Sequence, residues 1–269
     1  MRDRQDRLRH ELDRFDSRDG KLLVWLKRIN ADAARGVEWL RENQDLFEKE
    51  VFGPAMLCCS VTDERYSDAV QASLRRDDFL CFTVQTNADF DLLNRKFYDE
   101  LNLSVAMRTC MATRDQFRPP LDAVSAREHG FDGFAIDFVD GPAPVLAMLC
   151  AEAKLHATGV ALEDITSEQY QRIYDGERVS RWVTGRQSYR ITRRRDLGPH
   201  AVSTTTRPVR PGQFWKEPSV DPGERARVQT ALERVEGEFG ELKQQNGDLL
   251  AKVEQLQQRQ GDILQEIVR

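Results

Sequence analysis

Ten basic residues lie between Arg178 and Lys216: Arg178, Arg181, Arg186, Arg190, Arg193, Arg194, Arg195, Arg207, Arg210 and Lys216. They stand against a single acid, Asp196, and Trp182, Tyr189, Phe214 and Trp215 are interleaved with them. Guanidinium groups along a backbone track, with aromatic faces on which bases stack, suit single-stranded nucleic acid. The residues expected to make that contact are Arg186, Tyr189, Arg190, Arg193, Arg194, Arg195, Arg207, Arg210, Trp215 and Lys216. The rival interpretation points half the arginines at an acidic body and puts Trp182 in the core. Alternation on a strand splits Arg193-Arg194-Arg195 between two faces, so the three cannot follow one phosphate run unless the chain turns there.

Other chemistry finds little footing. The only Gly-Lys pair, Gly20-Lys21, has Phe15 where a phosphate loop needs its first glycine and Leu22 where it needs Ser or Thr. No two glycines stand in G-x-G spacing, so the dinucleotide fingerprint is absent. His10, His129, His156 and His200 share no ligand spacing with the cysteines, which argues against zinc. Asp132, Asp137 and Asp140 could be assembled into a magnesium site, but beside Gly133 and Gly141 they fit turns better. Ser188 and Ser203 have no evident histidine partner. The five cysteines, Cys58, Cys59, Cys81, Cys110 and Cys150, lack regular spacing and are expected as free thiols in a reducing compartment.

The elements that must carry the basic segment are of two kinds. Charged residues make up 32% of the 269, an excess that long helical arms commonly cause. The net charge of −5 means that any nucleic-acid surface is local. Apolar stretches are too short to span a bilayer and no charged-then-apolar leader is seen, so an intracellular protein is expected. From Val228, steps of four and three pick out Leu232, Val235, Phe239, Leu242, Asn246, Leu249, Val253, Leu256, Gln260, Ile263 and Ile267; ten of these 12 positions are apolar. A sustained period of 3.5 makes a left-handed coiled coil, with Asn246 placed to fix register. Asp221-Pro222-Gly223-Glu224 predicts the helix start. The same phase runs less cleanly from Leu8 to Phe47, with a break expected near Gly20 and an end at Gly53-Pro54. Two such stripes of similar length predict an intrachain antiparallel pair, residues 1–50 and 218–269, carrying an insert at 51–217.

That insert alternates. Strands are expected at Ala55–Val61, Phe79–Gln85, Ser104–Cys110 and Phe134–Val139, among helices near 66–76, 88–101, 121–128, 142–156 and 167–174. Segments 178–184, 188–193 and 203–209 are β-rich. The pattern predicts an α/β domain, parallel in its first part and hairpin-like in its last.

Several motifs go further: Glu50-Val51-Phe52-Gly53-Pro54, Phe117-Arg118-Pro119-Pro120, Gly130-Phe131-Asp132-Gly133, Gly141-Pro142-Ala143-Pro144-Val145-Leu146, Ser188-Tyr189-Arg190-Ile191-Thr192-Arg193-Arg194 and Gln213-Phe214-Trp215. In this order they resemble the hinge of the structural-maintenance-of-chromosomes (SMC) family, in the branch of the fifth SMC protein. The resemblance implies an α/β hinge domain with mixed sheets and two subdomains at the tip of an antiparallel coiled coil. It also implies pairing with the hinge of the sixth SMC protein, contact with single-stranded DNA, and service in DNA repair, recombination and chromosome organisation in the nucleus. ATP and magnesium belong to head domains at the far ends of such arms, so neither catalysis nor a cofactor is expected of this chain. Hinges of this kind often pair near glycines, which makes Gly185 and Gly198 the implied dimer contacts. The alternative is a purely structural dimerisation hinge without direct DNA binding.

Overall fold

The computed structural model describes residues 4–6, 9, 12, 17–194, 196, 201–216 and 222–267. The helices that position the site are α1 (Arg18–Ile29), α2 (Ala31–Glu42), α3 (Arg76–Leu80), α4 (Ala143–Ala153), α5 (Ser167–Gly176) and α6 (Pro222–Ile267). The strands are β1 (Ser60–Val61), β2 (Phe82–Val84), β3 (Met107–Thr109), β4 (Gly133–Phe134) and β5 (Val139–Asp140), then β6 (Thr158–Val160), β7 (Arg181–Val183), β8 (Gln187–Arg193) and β9 (Val202–Pro208). They form two compact units, one of Met1–Val24 with Pro218–Arg269 and one of Trp25–Glu217.

In the first unit the two terminal segments pair within the chain. The Arg9 guanidinium lies 2.7 Å from the Glu236 carboxylate, and Gln5 donates to the same oxygen at 3.1 Å. Leu12, Leu22 and Leu23 are buried on one segment, Leu232 and Val235 on the other. Farther along the α6 seam Leu242, Leu249, Val253 and Leu256 are 48–66% exposed, and Asn246 is exposed with them. The break expected at Gly20 and the polar run before it lies at Ser17. Its Oγ accepts the Gly20 amide at 3.0 Å, an N-cap from which α1 runs straight through the glycine. Leu8, Phe15 and Asp221 lie outside the described residues.

The second unit begins earlier than the arm limit read from the heptads. Asn30 accepts the Ala33 amide at 2.9 Å and caps α2, which belongs to this unit. Ala33, Gly36, Val37 and Leu40 sit in or beside the heptad phase because α2 packs on a globular core. A Cβ on Gly36 would come within 2.9 Å of the Phe82 ring and 3.2 Å of Phe97. The seam pattern is the same for a coiled coil and for a helix laid on a core, so sequence alone could not separate them.

Strands are shorter than expected. Ala55–Cys58 is a helical turn, leaving Ser60–Val61 as the paired strand. The run 134–139 is interrupted by the 3₁₀ turn Ala135–Phe138, closed where Asp137 Oδ2 accepts the Phe134 amide at 2.9 Å. β2 and β3 pair parallel, β1 and β5 antiparallel. The remaining sheet has the order β4-β6-β7-β8-β9, with β6 and β7 parallel and the other neighbours antiparallel. One apolar core, including Met148, Leu149, Val160, Trp182 and Val183, fills the space between helices and sheets.

Candidate nucleic-acid interface

Register decides which basic side chains share a surface. Residues directly opposite each other on paired strands point to the same face. Arg181 faces Arg190 and Val183 faces Ser188 between β7 and β8; Ser188 faces Arg207, Arg190 faces Thr205 and Thr192 faces Ser203 between β8 and β9. One face therefore carries Arg181, Arg190 and Arg207 among the hydroxyls of Ser188, Thr192, Ser203 and Thr205, with no acid from these strands. Arg190, Thr192 and Ser203 through Pro208 are exposed, while Arg181 is half-buried.

The opposite face is apolar and packs on α5. Trp182, Tyr189 and Ile191 alternate onto it, the Trp182 and Tyr189 rings stacked at 4.9 Å and Tyr170 meeting Trp182 edge-on at 5.8 Å. Trp182 is fully buried on this face; on the arginine face Val183 is buried too and Arg181 is half-buried against the end of α4, so that face is open along β8 and β9.

Several residues expected to contact nucleic acid are therefore engaged elsewhere. Tyr189 is part of the core face, its hydroxyl pKa pushed up by burial and by Asp164. Arg193 lies on the same inner face, donates to the Tyr174 carbonyl at 2.6 Å and sits 3.8 Å from Glu177. Arg194 follows the strand and pairs with Asp196 at 3.1 Å. Arg195 lies outside the described residues. Trp215 donates its indole N–H to the Ala55 carbonyl at 3.1 Å and meets Phe79 edge-on, and Lys216 pairs with Asp68 at 2.9 Å. Arg186 and Arg210 are exposed and form no ion pair among the described residues. The basic segment thus divides into an outward face and an inward set of structural contacts.

Arg181, like Arg178, was left off the contact list read from sequence, yet it belongs to this face. The β7–β8 turn over 184–187 fixes its place, since pairing Val183 with Ser188 puts Arg181 across from Arg190. Burial and the like charges of Arg190 and Arg75 push its guanidinium below the ordinary value.

Gly185, an implied dimer contact, is exposed in that turn, and its lack of a side chain has a local cause. A Cβ there would collide with the Leu162 carbonyl oxygen. Gly198 lies outside the described residues. Asp132 and Asp137 accept backbone amides from Leu162 and Phe134 at 2.9 Å each. Among the described residues no three His, Cys, Asp or Glu side chains are grouped to hold a metal ion. The five cysteines are free, and all but Cys58 are buried. No described helix is long and apolar enough to cross a membrane.

No family model matches this chain. It is 22% identical over 273 residues to structural maintenance of chromosomes protein 5 of Schizosaccharomyces pombe, a match covering 96% of this chain and 25% of that protein. The chain therefore spans a quarter of the length of this curated relative. Among solved structures, the S. pombe Smc5/6 hinge domain aligns with a TM-score of 0.70 at 21% identity, over 96% of this chain and 98% of that one. A Pyrococcus furiosus Smc hinge domain with an extended coiled coil reaches 0.45 at 16% identity, over 90% and 79%.

Proposed function

We propose that this chain, which has the SMC hinge fold, is the hinge and adjoining arm segments of a fifth-branch SMC protein. In this reading it pairs with the hinge of the sixth SMC protein and guides single-stranded DNA across the outward face of β7, β8 and β9. Nothing in this role calls for catalysis or a cofactor from the chain itself. The setting is chromosomal, in DNA repair and recombination within the nucleus.

Likeness to the S. pombe Smc5/6 hinge over nearly the whole chain supports the hinge assignment. The DNA assignment is carried by one observation: Arg181, Arg190 and Arg207 share a face with four hydroxyls. Guanidinium and hydroxyl donors in such an array match phosphate oxygens, and the surface holds no strand carboxylate to repel them. Among the described residues β9 is also an edge strand of its sheet, the kind of edge through which two hinges can join.

The test is salt-dependent binding of a labelled oligothymidylate. Each phosphate contact on a single strand contributes about −0.7 to the log–log salt slope. Changing Arg190 and Arg207 to glutamate is expected to weaken binding at least roughly tenfold and flatten the slope by about 1.4. Binding by the double variant at wild-type strength and slope would leave a purely structural hinge.

A further inference from the structure

The charges around Arg181 do not balance. Asp78, whose side chain is 1% exposed, accepts Arg75 at 3.2 Å and has Arg108 at 3.6 Å. Arg108 also pairs with Glu152 at the end of α4. On the next residue, the Ala153 carbonyl accepts Arg181 Nη1 at 3.3 Å, and Arg181 stands directly across from Arg190. Through Asp78, Arg108, Glu152 and the adjoining Ala153, Arg75 is linked to Arg181, whose guanidinium feels the like charges of both Arg190 and Arg75. Both carboxylates are engaged by Arg75 and Arg108, so Arg181 and Arg190 have no counter-charge among the described residues.

Like charges placed directly opposite on neighbouring strands repel. The Ala153 carbonyl, at the negative end of α4, offsets part of that repulsion at one of the five donors of Arg181. The other donors remain, beside an exposed Arg190 and an Arg75 side chain that is 67% exposed. Guanidinium forks from separate elements around a surplus of positive charge match an oxyanion with several acceptor oxygens.

We propose that Arg75, Arg181 and Arg190 form a phosphate-binding point at the rim of the hydroxyl-bearing sheet face. This rests on the proposed DNA reading for its natural ligand, a backbone phosphodiester, with free phosphate as the other source of the same group. The point joins the N-cap residue of α3 to β7 and β8, so it reaches past the basic segment to an arginine far away in sequence.

Arg75→Gln is the discriminating change, because Arg75 lies off the strand face and Asp78 keeps Arg108 when it is removed. The 269-residue chain and its R75Q, R181Q and R190Q variants are titrated with oligothymidylate across a salt series, and their melting temperatures are followed with inorganic phosphate. R75Q and R181Q are each expected to weaken oligonucleotide binding roughly fivefold and to flatten the slope by about 0.7, with R75K restoring the slope. If the half-buried Arg181 variant fails to fold, R75Q and the exposed R190Q carry the measurement. Oligonucleotide binding that R75Q leaves unchanged overturns this point while the sheet-face reading stands. Stabilisation of the wild type but not R75Q by phosphate, with no oligonucleotide binding, keeps the point and removes the DNA reading. Response to neither ligand overturns both.

Discussion

At the scale of single residues, environment sorts groups that look alike in sequence. Arg190 and Arg193 are three positions apart in one strand, so the pleat sends them to opposite faces. One is exposed, and the other is held by the Tyr174 carbonyl and Glu177. The cysteines are sorted in the same way. Burial raises the Cys150 thiol to about 11 and Cys81 to about 12, and the contact with Cys58, then burial, pushes Cys59 up strongly. At pH 8 a thiol with a pKa near 11 is only about 0.1% thiolate, the reactive form. Iodoacetamide at pH 8 should therefore leave Cys59, Cys81 and Cys150 unmodified in native protein and label them after unfolding, as read by intact mass. Rapid native labelling of these three would contradict the described packing. Gly185→Ala drives a methyl into the Leu162 carbonyl and is expected to lower stability by about 1–3 kcal/mol in urea denaturation. The arginine clustering was plain in the sequence. The inward role of Tyr189, Arg193, Trp215 and Lys216 was not, because it depends on partners at Trp182, Tyr174, Ala55 and Asp68 brought close only by folding.

At the scale of elements, alternation and register were the legible part. The β-rich segments expected at 188–193 and 203–209 match β8 and β9 to within a residue, and the one expected at 178–184 contains β7. The terminal heptads announced helices and their pairing within the chain, as α6 meets the N-terminal segment near Glu236, but not that the stripe on α2 serves the globular core through Gly36. The exit strap over 212–216 had no periodic signature at all. It is held by point contacts: the Gly212 amide on Asp68 at 2.8 Å, the Phe214 amide on Gln71 at 2.8 Å, and Phe214 stacked on Phe79 at 4.3 Å. Burial alone would raise the Asp68 pKa, but the Gly212 amide and Lys216 outweigh it and the net shift is downward. A carboxylate with a depressed folded pKa adds stability above its unfolded value of about 4 and loses it as pH falls through the folded value. Asp68→Asn should therefore lower the urea midpoint at pH 7, and the gap from wild type should close as pH drops below about 4. A gap constant from pH 7 to pH 3 would show that the ionised carboxylate does not hold the strap.

At the scale of the whole molecule, the account depends on a sheet with one face buried by α5 and the other open along β8 and β9, where β9 is an edge strand among the described residues. In the proposed pairing a second hinge joins that edge strand. Light-scattering mass determination tests this most directly, on the chain alone and mixed with the hinge of the sixth SMC protein. The expected result is a one-to-one complex at micromolar concentration. A mixture in which each component keeps its separate mass at that concentration would contradict the pairing.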